Sequence, residues 1–469
     1  MNVCRNLPTG FNCLDIILGE NLRDLDGNLT DVQRGFSIGT QTVIASEQAA
    51  GKTTFTMESM VYPIKLGYPC HKIVIFDTDG NVYKRNRLLK LTHFTEEELD
   101  KYVKVYNTNV IEDIIKALQK EQEEYMSMKY KPVKFFDHIR QEEVKMMPYV
   151  TVIMDTVTSM TPRDMDIEGA GNIGNNTTGL TKNRLIADLI NSMQNFFDKN
   201  ILTLWLCHLV DNDPKIGQTV AAKDFKAAQG NKRASIPKRL KFKADTVLWF
   251  NQVNDGANQE SKSHIRNEYG LEDVEGANVF SVNGVAVKNR TGTDARTKFE
   301  LVFKASGFDR NMTLIVDCLN QGVLAKDKSQ YPNAEFPHVF KDVADAEYEQ
   351  GVMGRRTKAA LRVEGYRRPT NIIEARLLLD YNGSDPTIRE LQAELYVALL
   401  QGLEDKLSYE LDSNCVTSAE LESDSDQLQK VFGFMAKLKR PLKLNPALKI
   451  KMPDKVDGVD YDLNDDGDI

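Results

Sequence analysis

An α/β protein with a central, mostly parallel sheet flanked by helices is the fold class this sequence predicts, followed by a small helical C-terminal domain and a disordered acidic tail. Three observations carry the prediction. Residues 42–44 form an apolar, β-branched run that feeds a small-residue loop ending in Gly51, Lys52 and Thr53, and residues 54–60 continue with helix-compatible chemistry. Two further runs, 149–154 and 201–207, are largely apolar from end to end, as strands covered on both faces must be. Beyond about residue 330 the pattern turns helical, with Ile388, Leu391, Leu395, Ala398, Leu399 and Leu403 tracing one face behind the cap-then-proline pair Asp385-Pro386.

The strand, loop and helix around Gly51 read as a phosphate-binding loop. Backbone N–H groups of such a loop and of the helix it opens point at phosphate oxygens. Ser46, Glu47, Gln48, Ala49, Ala50, Gly51, Lys52, Thr53 and Thr54 then form the cradle. Lys52 reaches the β- and γ-phosphates, and the Thr53 hydroxyl holds Mg²⁺. The pattern G-x-x-x-x-G-K-[ST] is met except at its first position, where Ser46 stands in place of glycine and restricts the turn. The plain alternative is an ordinary helix start at Gly-Lys-Thr.

The chain of 469 residues has room for one domain of about 300 residues and a smaller one. With 41% hydrophobic and 27% charged residues it has globular composition, and no run of 18 apolar residues suggests a membrane span. The first residues lack the apolar stretch of a secretory signal. Cys4, Cys13, Cys70, Cys207, Cys318 and Cys415 are scattered, which points to a reducing cytoplasm and away from disulfides or a zinc site. A net charge of −8 does not announce a nucleic-acid binder, although a local basic stripe remains compatible with it.

In chain order, residues 7–19 read as a turn and a short amphipathic helix closed by Gly19, and residues 20–41 as a polar loop. Residues 73–76 are a buried-strand run ending in Asp77-Thr78-Asp79-Gly80. Asp79 is a candidate for orienting an attacking water, or else a turn aspartate before Gly80. Residues 103–106 are the next strand, and residues 113–147 a charged, solvated helical excursion. The strand at 149–155 delivers Asp155 to the edge of the sheet, from which a carboxylate holds Mg²⁺; with the phosphate loop upstream, this makes nucleotide hydrolysis the leading reading.

Residues 168–179, rich in Gly, Asn and Thr, read as a mobile loop, and residues 180–197 as an amphipathic helix. The strand at 201–207 ends at His208, either a strand-end histidine satisfied by a carbonyl or a γ-phosphate sensor. Residues 211–243 carry Lys223, Lys226, Lys232, Arg233, Lys238 and Arg239 among small residues and Phe225. Such a stretch suits a single-stranded nucleic-acid backbone, or is a solvated charge run. Residues 246–250 are a strand, and 279–290 with 298–303 an antiparallel pair. Lys288 and Arg290, two apart on a strand, point the same way and suit one anionic site, or are ordinary exposed strand charges.

Taken together, these motifs resemble the RecA family of recombinases, in particular its phage UvsX-like branch. The resemblance covers about residues 9–326. It is carried by the opening from Thr9 to Gly19, the phosphate loop, Asp155 with the residues to Pro162 and Ile167-Glu168-Gly169 (like DNA-binding loop L1), residues 211–237 (like loop L2) and residues 285–290. The resemblance implies a RecA-like P-loop ATPase core over 1–330; the helical pattern beyond it reads as a helical domain over 331–450, and the acidic composition of the end as a tail over 451–469. It implies ATP and Mg²⁺ as cofactors, Asp79 in place of the family's catalytic glutamate, and His208 in place of its sensor glutamine. Lys288 and Arg290 would reach a neighbour's ATP, in a homo-oligomer that is a filament or a ring with ATP at the subunit interfaces. Implied partners are single-stranded DNA and a single-strand-binding or mediator protein, in the cytoplasm of a phage's host. The alternatives are a RecA-fold motor or switch such as a ring helicase, and a nucleotide-dependent assembly protein with weak hydrolysis.

Overall fold

The computed structural model describes residues 4–23, 29–47, 50–80, 82–163, 176–193, 195–211, 232–234, 236–252, 280–292, 297–304, 307–324, 348–350, 359–361, 375, 378–384 and 386–413. Ten strands form one sheet: β1 (Gln41–Ser46), β2 (Cys70–Asp77), β3 (Val103–Tyr106), β4 (Tyr149–Asp155), β5 (Ile201–Asp211), β6 (Lys232–Ala234), β7 (Thr246–Gln252), β8 (Phe280–Asn289), β9 (Lys298–Lys304) and β10 (Gly307–Phe308). Their order is β10-β9-β8-β7-β1-β5-β4-β2-β3, with β6 paired to the far end of β5. From β7 to β3 every neighbouring pair is parallel, and the antiparallel ribbon β8-β9-β10 extends the β7 side. The protein is therefore a mixed α/β structure around a large, mostly parallel sheet.

The apolar runs explain why the sheet is central. Successive side chains on a strand point to opposite faces, so Ile44, Ile153, Leu204 and Leu206 enter one core while Val43, Val152, Met154 and Trp205 enter the other. Helices α1 (Asn12–Leu18), α2 (Lys52–Lys65), α3 (Arg85–Thr92), α4 (Glu96–Tyr102), α8 (Arg310–Asn320) and α9 (Pro386–Ser413) bury residues in the first core. Helices α5 (Ile111–Ser127), α6 (Asn176–Met193) and α7 (Lys238–Lys243) cover the second. Every residue of β1 and of β4 is buried. Gln41 ties the second layer to the sheet: its amide donates to the Ile190 carbonyl and its Oε1 accepts from the Trp205 indole at 3.0 Å. Among the described residues, no helix is long and apolar enough to cross a membrane.

The structure corrects several expectations. Gly19 closes α1 as expected, its N–H donating to the Ile16 carbonyl from extended backbone; a side chain there would lie 2.4 Å from the Gln33 carbonyl oxygen. Within residues 20–41, Glu20–Arg23 and Leu29–Gln33 pair as an antiparallel hairpin instead of a loop, since Arg34 ties it to Asn21 and to Glu404 on α9. The stretch 113–147 is not a solvated helix throughout. Helix α5 buries Ile114, Leu118 and Tyr125, and Val133–Asp137 and Glu142–Met146 then form a hairpin whose β-branched and aromatic residues favour strand. Residues 176–179, assigned to a mobile loop, open α6, and residues 164–175 lie outside the described part. Strand β5 does not stop at His208 but runs on to Asp211, because β6 pairs with its end.

Farther on, Tyr348–Gln350 pairs with Ala359–Leu361, and all six apolar positions named on α9 are buried. That helix packs on α1 and α8 and shares their core. The division near residue 330 and the tail from 451 lie outside the described residues, as does Cys415; Cys4, Cys13, Cys70, Cys207 and Cys318 are free thiols.

Candidate functional site at the strand ends

Parallel strands deliver their C-terminal residues to one edge, and here four of them converge. Ser46 ends β1, His208 is its partner on β5, Asp155 ends β4, and Asp77 is the partner of Asp155 on β2. The loop after β1 returns into α2 through Gly51, whose φ of +76° and ψ of 13° are left-handed, a conformation open to glycine at little cost. A Cβ on Gly51 would sit 2.2 Å from the Phe303 ring, so β9 also presses on this turn. Lys52 is the first residue of α2. Gln48 and Ala49 lie outside the described residues, and Ala50 is buried. Ser46 is fully buried, and its hydroxyl donates to the Glu47 carbonyl at 2.7 Å.

The side chains of Lys52, Thr53, Asp79, Asp155 and His208 meet around this turn. Lys52 Nζ lies 3.2 Å from His208 Nδ1. An ammonium only donates, so Nδ1 accepts and the ring carries its proton on Nε2. Burial lowers the pKa of Lys52 against the pull of Asp155, Cys207 and Asp79. Burial also lowers that of His208, with Lys52 adding to the shift and Asp79 and Asp155 opposing it. Thr53 Oγ1 donates to Asp155 Oδ2 at 3.2 Å. Asp155 is 3% exposed and its pKa is raised by burial, against hydrogen bonds from Tyr83 and Thr53 and the charge of Lys52.

The two carboxylates at the end of β2 and just beyond it have different roles. Asp77 is buried and accepts from the backbone N–H groups of Gly80, Val82 and Tyr83, which fixes the turn. Asp79 is exposed on that turn and accepts from Ser159 Oγ at 2.6 Å. The aspartate open to a ligand is thus Asp79, and the capping part falls to Asp77. Thr78 binds the two strands together at this point: its N–H donates to the Asp155 carbonyl and its hydroxyl accepts from the Thr156 N–H at 2.7 Å.

The remaining candidates lie elsewhere. Lys288 Nζ donates to the carbonyls of Lys241, Phe242 and Ala244, and Arg290 donates to the Phe242 carbonyl and pairs with Asp245 at 3.6 Å. The two cations do point the same way, onto the C-terminal end of α7, where cations complement the free carbonyls. Of the basic stretch, Lys223 and Lys226 lie outside the described residues. Lys232 and Arg233 have backbone positions on β6, opposite Asp211 and Val210. Lys238 opens α7, and the exposed Arg239 donates to Asn191 Oδ1 at 3.2 and 3.1 Å.

Reading the sequence alone missed Tyr83, whose hydroxyl donates to Asp155 Oδ2 at 2.8 Å from a buried position. Burial and the adjacent Asp155 hold its pKa well above the usual phenol value, so it remains a donor. Ser159 and Phe303 were missed likewise. Nothing in the local pattern marks these three, because each reaches the site from a different part of the chain.

A hydroxyl and a carboxylate side by side, Thr53 and Asp155, are hard oxygen donors suited to a Mg²⁺ ion that keeps several waters and takes its other ligands from phosphate. The donor set therefore fits the ion. Among the described residues there is no cluster of three or more His, Cys, Asp or Glu side chains that would hold a metal without a substrate. No protein-family model matches the chain, and a search of curated proteins finds no match.

Proposed function

We propose that this chain is an ATP-dependent, single-stranded-DNA-binding recombinase built on a RecA-like P-loop ATPase core. The observation that carries the reading is the convergence of Lys52, Thr53, Asp79, Asp155 and His208 on one edge of the parallel sheet, around a glycine turn that opens a helix. Loop and helix N–H groups would bind the phosphates of ATP. Lys52 would leave His208 for the β- and γ-phosphates, an exchange favoured because its charge is poorly solvated where it rests. Thr53 and Asp155 would hold Mg²⁺, which when bound neutralises charge on the transferred phosphoryl group. Asp79, exposed beside the site, would orient the attacking water.

Freed from Lys52, His208 would report the γ-phosphate. Strand β5 runs from His208 through three more residues to Asp211, which pairs with Lys232, so a displacement of His208 passes along one hydrogen-bonded ribbon to the basic stretch. That continuity supports a link between ATP turnover and DNA contact. Lys288 and Arg290 would serve a neighbouring subunit's ATP by exchanging the α7 carbonyls for phosphate.

ATPase activity with and without single-stranded DNA, together with strand exchange, tests the proposal. We expect DNA-stimulated turnover and exchange, both falling about 10²-fold or more in Lys52→Ala. Turnover without stimulation or exchange would indicate a motor or switch instead. Binding without turnover would indicate a nucleotide-dependent assembly protein, a reading to which the hydrogen bond already engaging Asp79 lends some support.

A further inference from the structure

Asp155 Oδ2 accepts two hydrogen bonds, from Thr53 Oγ1 at 3.2 Å and from Tyr83 Oη at 2.8 Å. These two donors are not equivalent. Thr53 occupies the second position of α2 and is the hydroxyl that would hold a nucleotide-bound Mg²⁺, in which case its hydrogen bond to Asp155 would be given up. Tyr83 is not among the groups proposed to hold the metal, although its hydroxyl also hydrogen-bonds to the Thr53 side chain. Its ring is buried, and its backbone is anchored by Asp77, which fixes the N–H groups of Gly80, Val82 and Tyr83 in one turn. Asp77 is itself the strand partner of Asp155. The phenol thus sits on a residue whose backbone is tied to Asp77, one strand away from the carboxylate that it holds.

We infer that Tyr83 is the positioning residue for Asp155, the anchor that keeps this carboxylate aimed while Thr53 turns to the metal. The inference rests on the reading of Thr53 and Asp155 as the Mg²⁺ pair. Hydrogen-bonding partners of this kind commonly change metal affinity 10- to 100-fold, on the order measured for carboxylates and imidazoles behind metal ligands. Tyr83 does not touch the phosphates in this role, so its loss acts on the metal dependence of binding and not on the cradle.

The test compares the wild type, Tyr83→Phe and Asp155→Asn. Phenylalanine retains the buried ring and removes only the hydroxyl, and thermal melting of each variant reports that the fold survives. Binding of a fluorescent ATP analogue is titrated against Mg²⁺, with a parallel titration in EDTA. We expect the Mg²⁺ midpoint of Tyr83→Phe to rise about 10-fold while the affinity in EDTA stays within about two-fold. An equal loss of affinity in Mg²⁺ and in EDTA would mean a general loosening of the site and would overturn the inference. An unchanged midpoint in Tyr83→Phe beside a shifted one in Asp155→Asn would also overturn it, leaving the metal reading intact. If Asp155→Asn leaves the midpoint unchanged, the metal reading itself fails.

Discussion

Replacing Gly51 by alanine isolates what the phosphate turn demands of the fold. Two costs can be worked from the structure. The φ of +76° places a side chain in left-handed backbone, worth about 1–2 kcal/mol for an L-residue. The new Cβ would lie 2.2 Å from Phe303 Cζ and 2.8 Å from Cε1, more than an ångström inside an ordinary contact. Phe303 has nowhere to retreat, since it is 4% exposed and its ring centre is 3.6 Å from that of Phe308, which in turn packs on Phe11 at 5.0 Å. Overpacking of this kind costs about 1–3 kcal/mol. The combined loss of about 2–5 kcal/mol is a large share of the 5–15 kcal/mol typical of a domain.

Urea unfolding followed by tryptophan fluorescence measures it, because both tryptophans, Trp205 and Trp249, are buried in the sheet. The steric part should vanish in a Phe303→Leu background while the backbone part remains, which a double-mutant cycle separates. If Gly51→Ala leaves the unfolding midpoint unmoved, or if its cost is the same with Leu at 303, the account of this turn is wrong.

Two further predictions concern charged groups. His208 has a pKa held below its ordinary 6.5 in the fold, so on acidification the unfolded chain takes up the proton first. Stability should therefore begin to fall as pH drops through about 6.5 and level off below the folded pKa, and melting temperature against pH should show a shallower decline in His208→Gln; parallel curves for the two proteins would count against the reading. Lys288 caps three carbonyls at the end of α7, so Lys288→Met should lower stability by about 1–2 kcal/mol and speed proteolysis within Lys238–Lys243. Cleavage at the wild-type rate would show that the cap is not what holds the helix.

What local pattern could reveal was the periodic part of the molecule. Apolar strands such as Tyr149–Asp155 and the amphipathic α9 are legible because burial on one or both faces imposes a period on the chain itself. The hairpin at Val133–Asp137 and Glu142–Met146 was not, since most of its residues are exposed or half-exposed and half of them are charged, as in a solvated helix. The hairpin at residues 20–33 was hidden for a related reason, as it is anchored by Arg34 to a glutamate 370 residues away.

At the site, the residue types at each strand end are legible in the chain: a lysine and threonine after a glycine turn, an aspartate ending β4, a histidine on β5. Which of these meet follows from the fold. It set Lys52 on His208 and Thr53 on Asp155, assigned capping to Asp77 and exposure to Asp79, and brought Tyr83 behind Asp155 and Phe303 against Gly51. It also turned Lys288 and Arg290 onto α7. The physical reason is that strand-end chemistry is written in neighbouring residues, whereas hydrogen bonds and ring contacts between distant segments depend on sheet order and register, which no single stretch of chain encodes.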